Sequence, residues 1–498
     1  MAKRRQVGGM QEVLIQLSAK SMSSTEKAVQ AIEKAGGRVR HAFPPQVIVA
    51  SVPEAEVKKL AGKSGIVSIT ADPVGTRAMA KAGDPLSFAQ AAWNEHLSVD
   101  RRTRAITSAQ KATSWDEPGK LPPHPPEEIM EHFREQERAL MPKTRAKALG
   151  APILSIPVLV GRVGVGVVFV DSTVAQFQIT DAEKSKVVSE ITEGLNMLSG
   201  FEPRANIQWF YDFKRPKISL TAANFPSNNQ NAWEDTWRNA AMGAIGQAAS
   251  INGMNNYINT VKSNFSAQWA YALFITKYPK TWFAYEWGNH VVMDFQVDGW
   301  GIDNFNLVVA HETGHVFGCP DEYTSSGCNC TSLFGRYQIA NGNCESCASP
   351  NLLCLMKGNT PSVCDYTRGH LGWNELAVLK EGAVTLKGTW TFDFETGVQG
   401  PPSGADVWWE QVNNVTRFLV PQSGAMLAQM GKPNFDAVSY QTLKGLSYSA
   451  TPIDGSNNAS NKLTAGTVVA IRTNTGRYAK MKVNSYGYNL GINYVTYQ

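Results

Sequence analysis

Apolar side chains crowd into short, β-branched runs at Glu12 to Leu17 (EVLIQL), Arg38 to Phe43 (RVRHAF) and Gln46 to Val52 (QVIVASV), the pattern of half-buried strands. Between the first two, Ala28, Val29, Ile32 and Ala35 recur at helical spacing behind Ser23 to Glu26 (SSTE), which has the form of a capping box. Gly36-Gly37 ends that helix. Pro53 opens a second, with Val57 and Leu60 inward, and Gly65 to Asp72 (GIVSITAD) completes a β-α-β-β-α-β unit.

A second set of elements runs from about Ala151 to Lys380. Strands are expected at Arg162 to Asp171 (RVGVGVVFVD), Asn206 to Phe213 (NIQWFYDF) and Ala267 to Tyr278 (AQWAYALFITKY). Thr180 with Glu183 caps a helix whose buried face is Val187, Val188, Ile191, Leu195 and Leu198, stopped by Gly200. Trp233 to Val261 predicts one long helix. Trp282 to Phe295 predicts a hairpin turning at Gly288-Asn289, with HVVMDF either a cleft-edge strand for an extended peptide or, equally, a core or supporting strand, and a further helix begins near Asp303. From about Gly382 short alternating runs separated by Gly and Asn predict an all-β region, in which Trp408, Trp409, Tyr478 and Tyr494 serve either as core packing, the preferred reading, or as a surface- or glycan-binding platform.

The whole reads as an α+β protein in four segments. They are a ferredoxin-like unit (1–75), a connector (76–150), a mixed-sheet domain (151–380) and an all-β domain (381–498). In the connector, LPPHPPEE is stiff and extended, and Glu127 to Met141 predicts a charge-dense helix ended by Pro142. Its histidines, His124 and His132, are expected at the surface, although a connector lying across a cleft would bring them near a metal.

The net charge of +5 is small for 498 residues and no long basic block follows MAKRRQ, which argues against nucleic-acid binding. QVGGMQEVLIQLSAK lacks the apolar stretch and cleavage site of a standard export signal. Ala151 to Val170 is the most membrane-like stretch. Two prolines, three glycines and Arg162 make it a poor spanning helix, and no transmembrane segment is expected.

The chemistry concentrates in Val308 to Tyr323, VVAHETGHVFGCPDEY. His311 and His315 lie four apart, so on a helix both imidazoles reach one metal ion with Glu312 beside it as general base. Gly318 supplies a residue tolerant of positive φ at the helix exit, and Asp321 returns as the third ligand. Three protein ligands with a fourth position left for water describe a catalytic zinc site.

HETGHVFGCPDEY resembles the HExxHxxGxxD motif of the metzincin metallopeptidases, in the snapalysin-like variant where Asp replaces a third His. The resemblance implies a methionine turn under the metal, for which Met356 in NLLCLMKG (Asn351 to Gly358) is the fitting residue, and a twisted sheet with two long helices. QVIVASVPEAEVKKLAGKSGIVSITAD resembles the propeptide inhibitor domain of subtilisin-type proteases. That implies a zymogen segment, the alternative being a ferredoxin-like interaction module.

All seven cysteines fall within or just after the motif. Cys354 and Cys364 bracket Met356 and are expected to clamp it by a disulfide, with Cys319 left over. Cys328, Cys330, Cys344 and Cys347 offer two further disulfides, the preferred reading, or a second, structural Zn2+ site, and a Ca2+ site is a further option. Tyr366 and His370 in DYTRGHLGW are expected to be structural. The function expected is a secreted zinc endopeptidase acting on proteins or peptides. The alternative is a delivered toxin or adhesin with a structural metal and a working β-domain.

Overall fold

The structure is a computed structural model that describes residues 9–18, 21–75, 79–80, 85–98, 113–125, 157–348, 351–374, 378–401, 403–433, 435, 438 and 440–497. The expected helix at Glu127 to Met141, with His132, and the start of the Ala151 to Val170 stretch lie outside them. The protein is of mixed α+β class, with a large mixed sheet and several antiparallel sheets.

The N-terminal unit has the expected order: β1 (Met10–Leu17), α1 (Met22–Lys34), β2 (Arg38–Phe43), β3 (Val47–Pro53), α2 (Glu54–Leu60) and β4 (Ile66–Thr70). One local reading changes. Helix α1 starts before SSTE, with Ser21 as N-cap and no side-chain cap bond. Glu26 is instead paired with Arg162, across 136 residues of sequence. A half-buried ion partner outcompetes a local cap.

After α3 (Pro85–His96) and the two-residue β5 (Thr113–Ser114) come β6 (Arg162–Ser172), α4 (Asp181–Gly200), β7 (Gln208–Lys214) and β8 (Lys217–Ile218). Helix α4 carries the predicted capping box between Thr180 and Glu183, and its five predicted apolar residues are all buried. The long helix expected from Trp233 is two, α5 (Trp233–Ala244) and α6 (Ile251–Asn264). Gly246 takes a φ of +81° between them, and Ser250 caps the second by accepting from the Gly253 N–H. Strand β9 (Trp269–Thr276) precedes the predicted hairpin of β10 (Ala284–Trp287) and β11 (His290–Asp294), and α7 (Phe305–Val316) follows.

The strands β1 to β4 do not form a sheet of their own. The order is β10-β11-β9-β6-β7-β2-β3-β1-β4, with β8 beside β6. The seam is parallel pairing of His41 and Ala42 in β2 with Trp209 and Phe210 in β7. Segment 1–75 and the central region therefore share one sheet and one compact unit. Of the two roles open to HVVMDF the supporting one holds: β11 lies inside the sheet, between β9 and β10, and the edge strand is β10.

Two glycine positions show how the layers reach the site. On one face, a Cβ at Gly166 would lie 2.7 Å from the Tyr257 ring, so α6 packs directly on β6. On the other, a Cβ at Gly194 would lie 2.2 Å from the Asn306 carbonyl oxygen, so α4 and α7 meet backbone to backbone. Gly194→Ala must push α7 away from α4 and is expected to cost about 3 kcal/mol, the upper part of the range for overpacking, read as a lowered urea midpoint.

The second compact unit comprises 337–339 and 368–498, so it begins before the expected boundary at 381. It holds two five-stranded sheets, and the strand Val378–Leu386, not predicted, pairs antiparallel with Leu490–Tyr497. Trp409 and Tyr494 are buried in its core, where Tyr494 packs on Phe392 and Phe394. These two aromatics are core residues and form no platform. No helix among the described residues is long and apolar enough to cross a membrane, and the stretch at 162–172 is strand β6.

Candidate metal centre

Helix α7 is buried along nearly its whole length, with His311 and Glu312 fully inaccessible. Its exit follows the sequence reading. Gly318 takes a φ of +82°, Cys319 N–H bonds to the Gly314 carbonyl, and the chain turns back so that Asp321 faces the two histidines. Glu322, Asn341 and Asn343 fix the turn: Asn341 donates to the Asp321 carbonyl at 2.7 Å, and the Glu322 N–H donates to the Met356 carbonyl at 2.9 Å.

Three donor atoms converge. His311 Nε2 and His315 Nε2 are 3.0 Å apart, and Asp321 Oδ1 lies 3.1 and 3.2 Å from them. A tetrahedral ion with bonds of 2.0–2.1 Å holds its ligands about 3.3 Å apart, close to this triangle. Each imidazole is fixed from behind, His311 Nδ1 on the Leu355 carbonyl at 3.0 Å and His315 Nδ1 on the Cys319 carbonyl at 2.8 Å. Nδ1 must donate to a carbonyl, so Nε2 keeps its lone pair aimed into the triangle, the tautomer a metal ligand requires.

The carboxylates are left with unmet demand. Asp321 Oδ1 and both oxygens of Glu312 are buried without a hydrogen-bond partner. Unpaired buried carboxylate oxygens are costly unless a cation or a water meets them, so this donor set fits a divalent metal. In the metal-free protein burial would raise the Asp321 carboxyl, but the His315 and His311 imidazoles beside it hold it well below the usual range. Burial pulls His315 down, and the charges of Asp321, Glu312 and Glu286 outweigh that and push it up to about 9.

Met356, the residue proposed for the turn, lies against α7 at Gly314. It is buried, and a Cβ on Gly314 would lie 2.8 Å from its sulfur, so the glycine between the two histidines makes room for the thioether below them. The Leu355 carbonyl next to it accepts from both His311 and Trp115 Nε1, the latter at 2.7 Å.

The cysteines divide differently from expectation. Cys328–Cys344 and Cys330–Cys347 are disulfides, with Cα separations of 5.8 and 5.7 Å, and Cys319 is free and buried. Cys354 and Cys364 are free as well, correcting the expected clamp. Their sulfurs are engaged otherwise: Cys354 Sγ lies 3.1 Å from the Thr367 hydroxyl, and Cys364 Sγ donates to Glu322 at 3.1 Å. Burial pushes the Cys354 thiol well up, which keeps it protonated. Hydrogen bonds around Glu322, from Thr367 at 2.9 Å and Asn343 at 2.6 Å, do the clamping that a disulfide was expected to do.

Two further groups, Glu322 with Cys354 and Cys364, and Asp393 with Glu395 and Asp406, bring donor atoms within 4.8 Å of one another. The oxygens of Asp393 and Asp406 already accept backbone N–H bonds from Glu395, Phe394 and Asn474. His370 is buried on the Ile339 carbonyl, and the Tyr366 ring lies over Gly342. Tyr323, within the motif, is the tyrosine beside the triad, its ring 6.4 Å from that of His311.

The sequence reading missed the connector's part in the centre. Trp115 is fully buried, edge-on to His311 at 5.4 Å and to Trp300 at 4.8 Å, a burial worth roughly 4–6 kcal/mol. His124, expected at the surface, packs on His315 with ring centroids 4.4 Å apart and the planes tilted by 37°, and holds Nδ1 3.7 Å from Glu312 Oε2. The available signal was the placing of one histidine inside a proline-stiffened stretch, LPPHPPEE. Compared with known proteins, the chain matches no family model and no curated protein.

Proposed function

We propose that the protein is a zinc-dependent endopeptidase of metzincin type, with His311, His315 and Asp321 as metal ligands and Glu312 as general base. The observation that carries this reading is the convergence of three oriented donor atoms beside a buried glutamate whose two oxygens have no partner. A site serving structure alone would close with a fourth ligand and would have no use for that carboxylate. The β-α-β-β-α-β unit keeps its likeness to a propeptide domain, and its continuity with the main sheet favours a built-in role over a detachable one.

A zinc ion held there supplies Lewis acidity to the scissile carbonyl and to an attacking water. The protein's share is proton transfer and positioning. Glu312, fully buried and fixed on α7, takes a proton from the water as it adds to the carbonyl carbon and delivers it to the departing amine nitrogen. The carbonyls of Leu355 and Cys319 hold both imidazoles in place through this cycle. An extended substrate would align along β10, the edge strand of the sheet that packs against α7. Two disulfides support a protein working in an oxidising compartment, outside the cytosol.

The test is metal content together with casein hydrolysis, on the intact chain and after limited proteolysis. One zinc per chain, and hydrolysis abolished by a chelator and restored by added zinc, are expected. A chain that binds no zinc, or a zinc-loaded chain that cleaves nothing in either form, overturns the proposal.

A further inference from the structure

Residues 121 to 124 cross the candidate centre as a strap, and every peptide unit of it is held. The carbonyls of Leu121, Pro122 and Pro123 accept from Trp300 Nε1 at 2.7 Å, Trp282 Nε1 at 2.9 Å and the Tyr323 hydroxyl at 2.6 Å. The His124 N–H then donates to the Ala284 carbonyl at 3.2 Å, the bond an added strand would make to the edge strand β10. Lys120 lies over the Trp300 ring, and Asp116 accepts from the Ser325 N–H.

These anchors fix the backbone and leave the His124 imidazole directed at the centre. Its Nδ1 is buried and lacks a hydrogen-bond partner. Ring nitrogens of His124 and His315 and an oxygen of Glu312 lie within 4.8 Å of one another. The residue also takes a φ of +65°, a left-handed conformation that a non-glycine residue keeps only where surrounding contacts over-determine it. An imidazole so placed occupies the space a water and a scissile carbonyl would need, beside the proposed general base.

Resting on the zinc-site reading above, we propose that His124 is a fourth and displaceable metal ligand, and that the strap keeps the intact chain latent by lying in the substrate's place along β10. Nδ1 supplies the ligating lone pair. Four protein ligands leave the metal no open position, so hydrolysis requires His124 to swing away. The release is local, confined to residues 121 to 124, because Trp115 and the sheet seam can stay in place.

The experiment compares zinc-loaded, full-length wild type with His124→Asn, chosen because Asn accepts positive φ and offers no imidazole. His124→Gly serves as the second variant, free of backbone strain. X-ray absorption at the zinc edge counts the imidazoles, and hydrolysis of a quenched fluorescent peptide reads latency. Three imidazoles in wild type, two in the variants, and at least a tenfold rise in kcat/KM on substitution are expected. Two imidazoles in all three proteins would overturn the ligand assignment whatever the activity. A lost imidazole with equal hydrolysis in all three would overturn latency. If an imidazole is lost and none of the proteins hydrolyses peptide, His124 stands as a ligand and the peptidase reading fails instead.

Discussion

Glu312→Ala should lose peptide hydrolysis by roughly 10² to 10⁴-fold in kcat while still binding one zinc, the magnitude a positioned acid and base contributes. The Glu312 carboxylate makes no hydrogen bond that holds the fold, so removing it deletes chemistry rather than structure. Its neighbours His311 and His315 are fixed by backbone carbonyls and not by Glu312, so the metal ligands keep their geometry. The comparison is best made in the His124→Asn background, with zinc stoichiometry measured on the same samples. Retained hydrolysis with full zinc content would remove Glu312 from the mechanism. Lost zinc would show that the carboxylate serves the metal site.

Asp321→Ala is expected to raise the zinc Kd by more than ~100-fold, beyond the 10 to 100-fold that loss of a supporting residue behind a ligand costs. Two opposing effects decide the size. The substitution deletes one of the donors and the only negative charge among them, and it also frees His315 from the carboxylate that pushes its proton affinity up to about 9. At neutral pH zinc must displace that proton from the wild-type histidine, so part of the lost affinity is returned in the variant. The difference between the two proteins should therefore widen as pH rises from 7 towards 9, where the wild-type competition with protons fades. Competition with a chromophoric chelator across that interval measures it. Unchanged affinity would pass the third-ligand role to His124.

Much of this was legible because its signals are local. Thr180 and Glu183 announce α4 within four residues, Gly318 marks the helix exit, and HETGH with Asp321 carries the ligand spacing whatever surrounds it. What escaped depends on partners distant in sequence. Glu26 leaves its apparent capping box for Arg162, and Cys354 and Cys364 leave their apparent disulfide for Thr367 and Glu322, because three-dimensional neighbours offered better terms. His124 escaped for a further reason. The strap is bound through its backbone carbonyls, and a backbone carbonyl has no letter in a sequence.

The parallel seam between β2 and β7 bears on what any processing event can achieve. Hydrolysis of one peptide bond between Pro125 and Pro157 would sever the covalent link and leave the β2–β7 pairing in place, since the strands on either side of the cut remain neighbours in one hydrogen-bonded sheet. The product would be a heterodimer made from a single gene: two bands on a denaturing gel, one particle of unchanged mass in solution. Its two pieces would part only when denaturant opens the sheet, so the N-terminal third is better regarded as a permanent subunit than as a leader to be discarded.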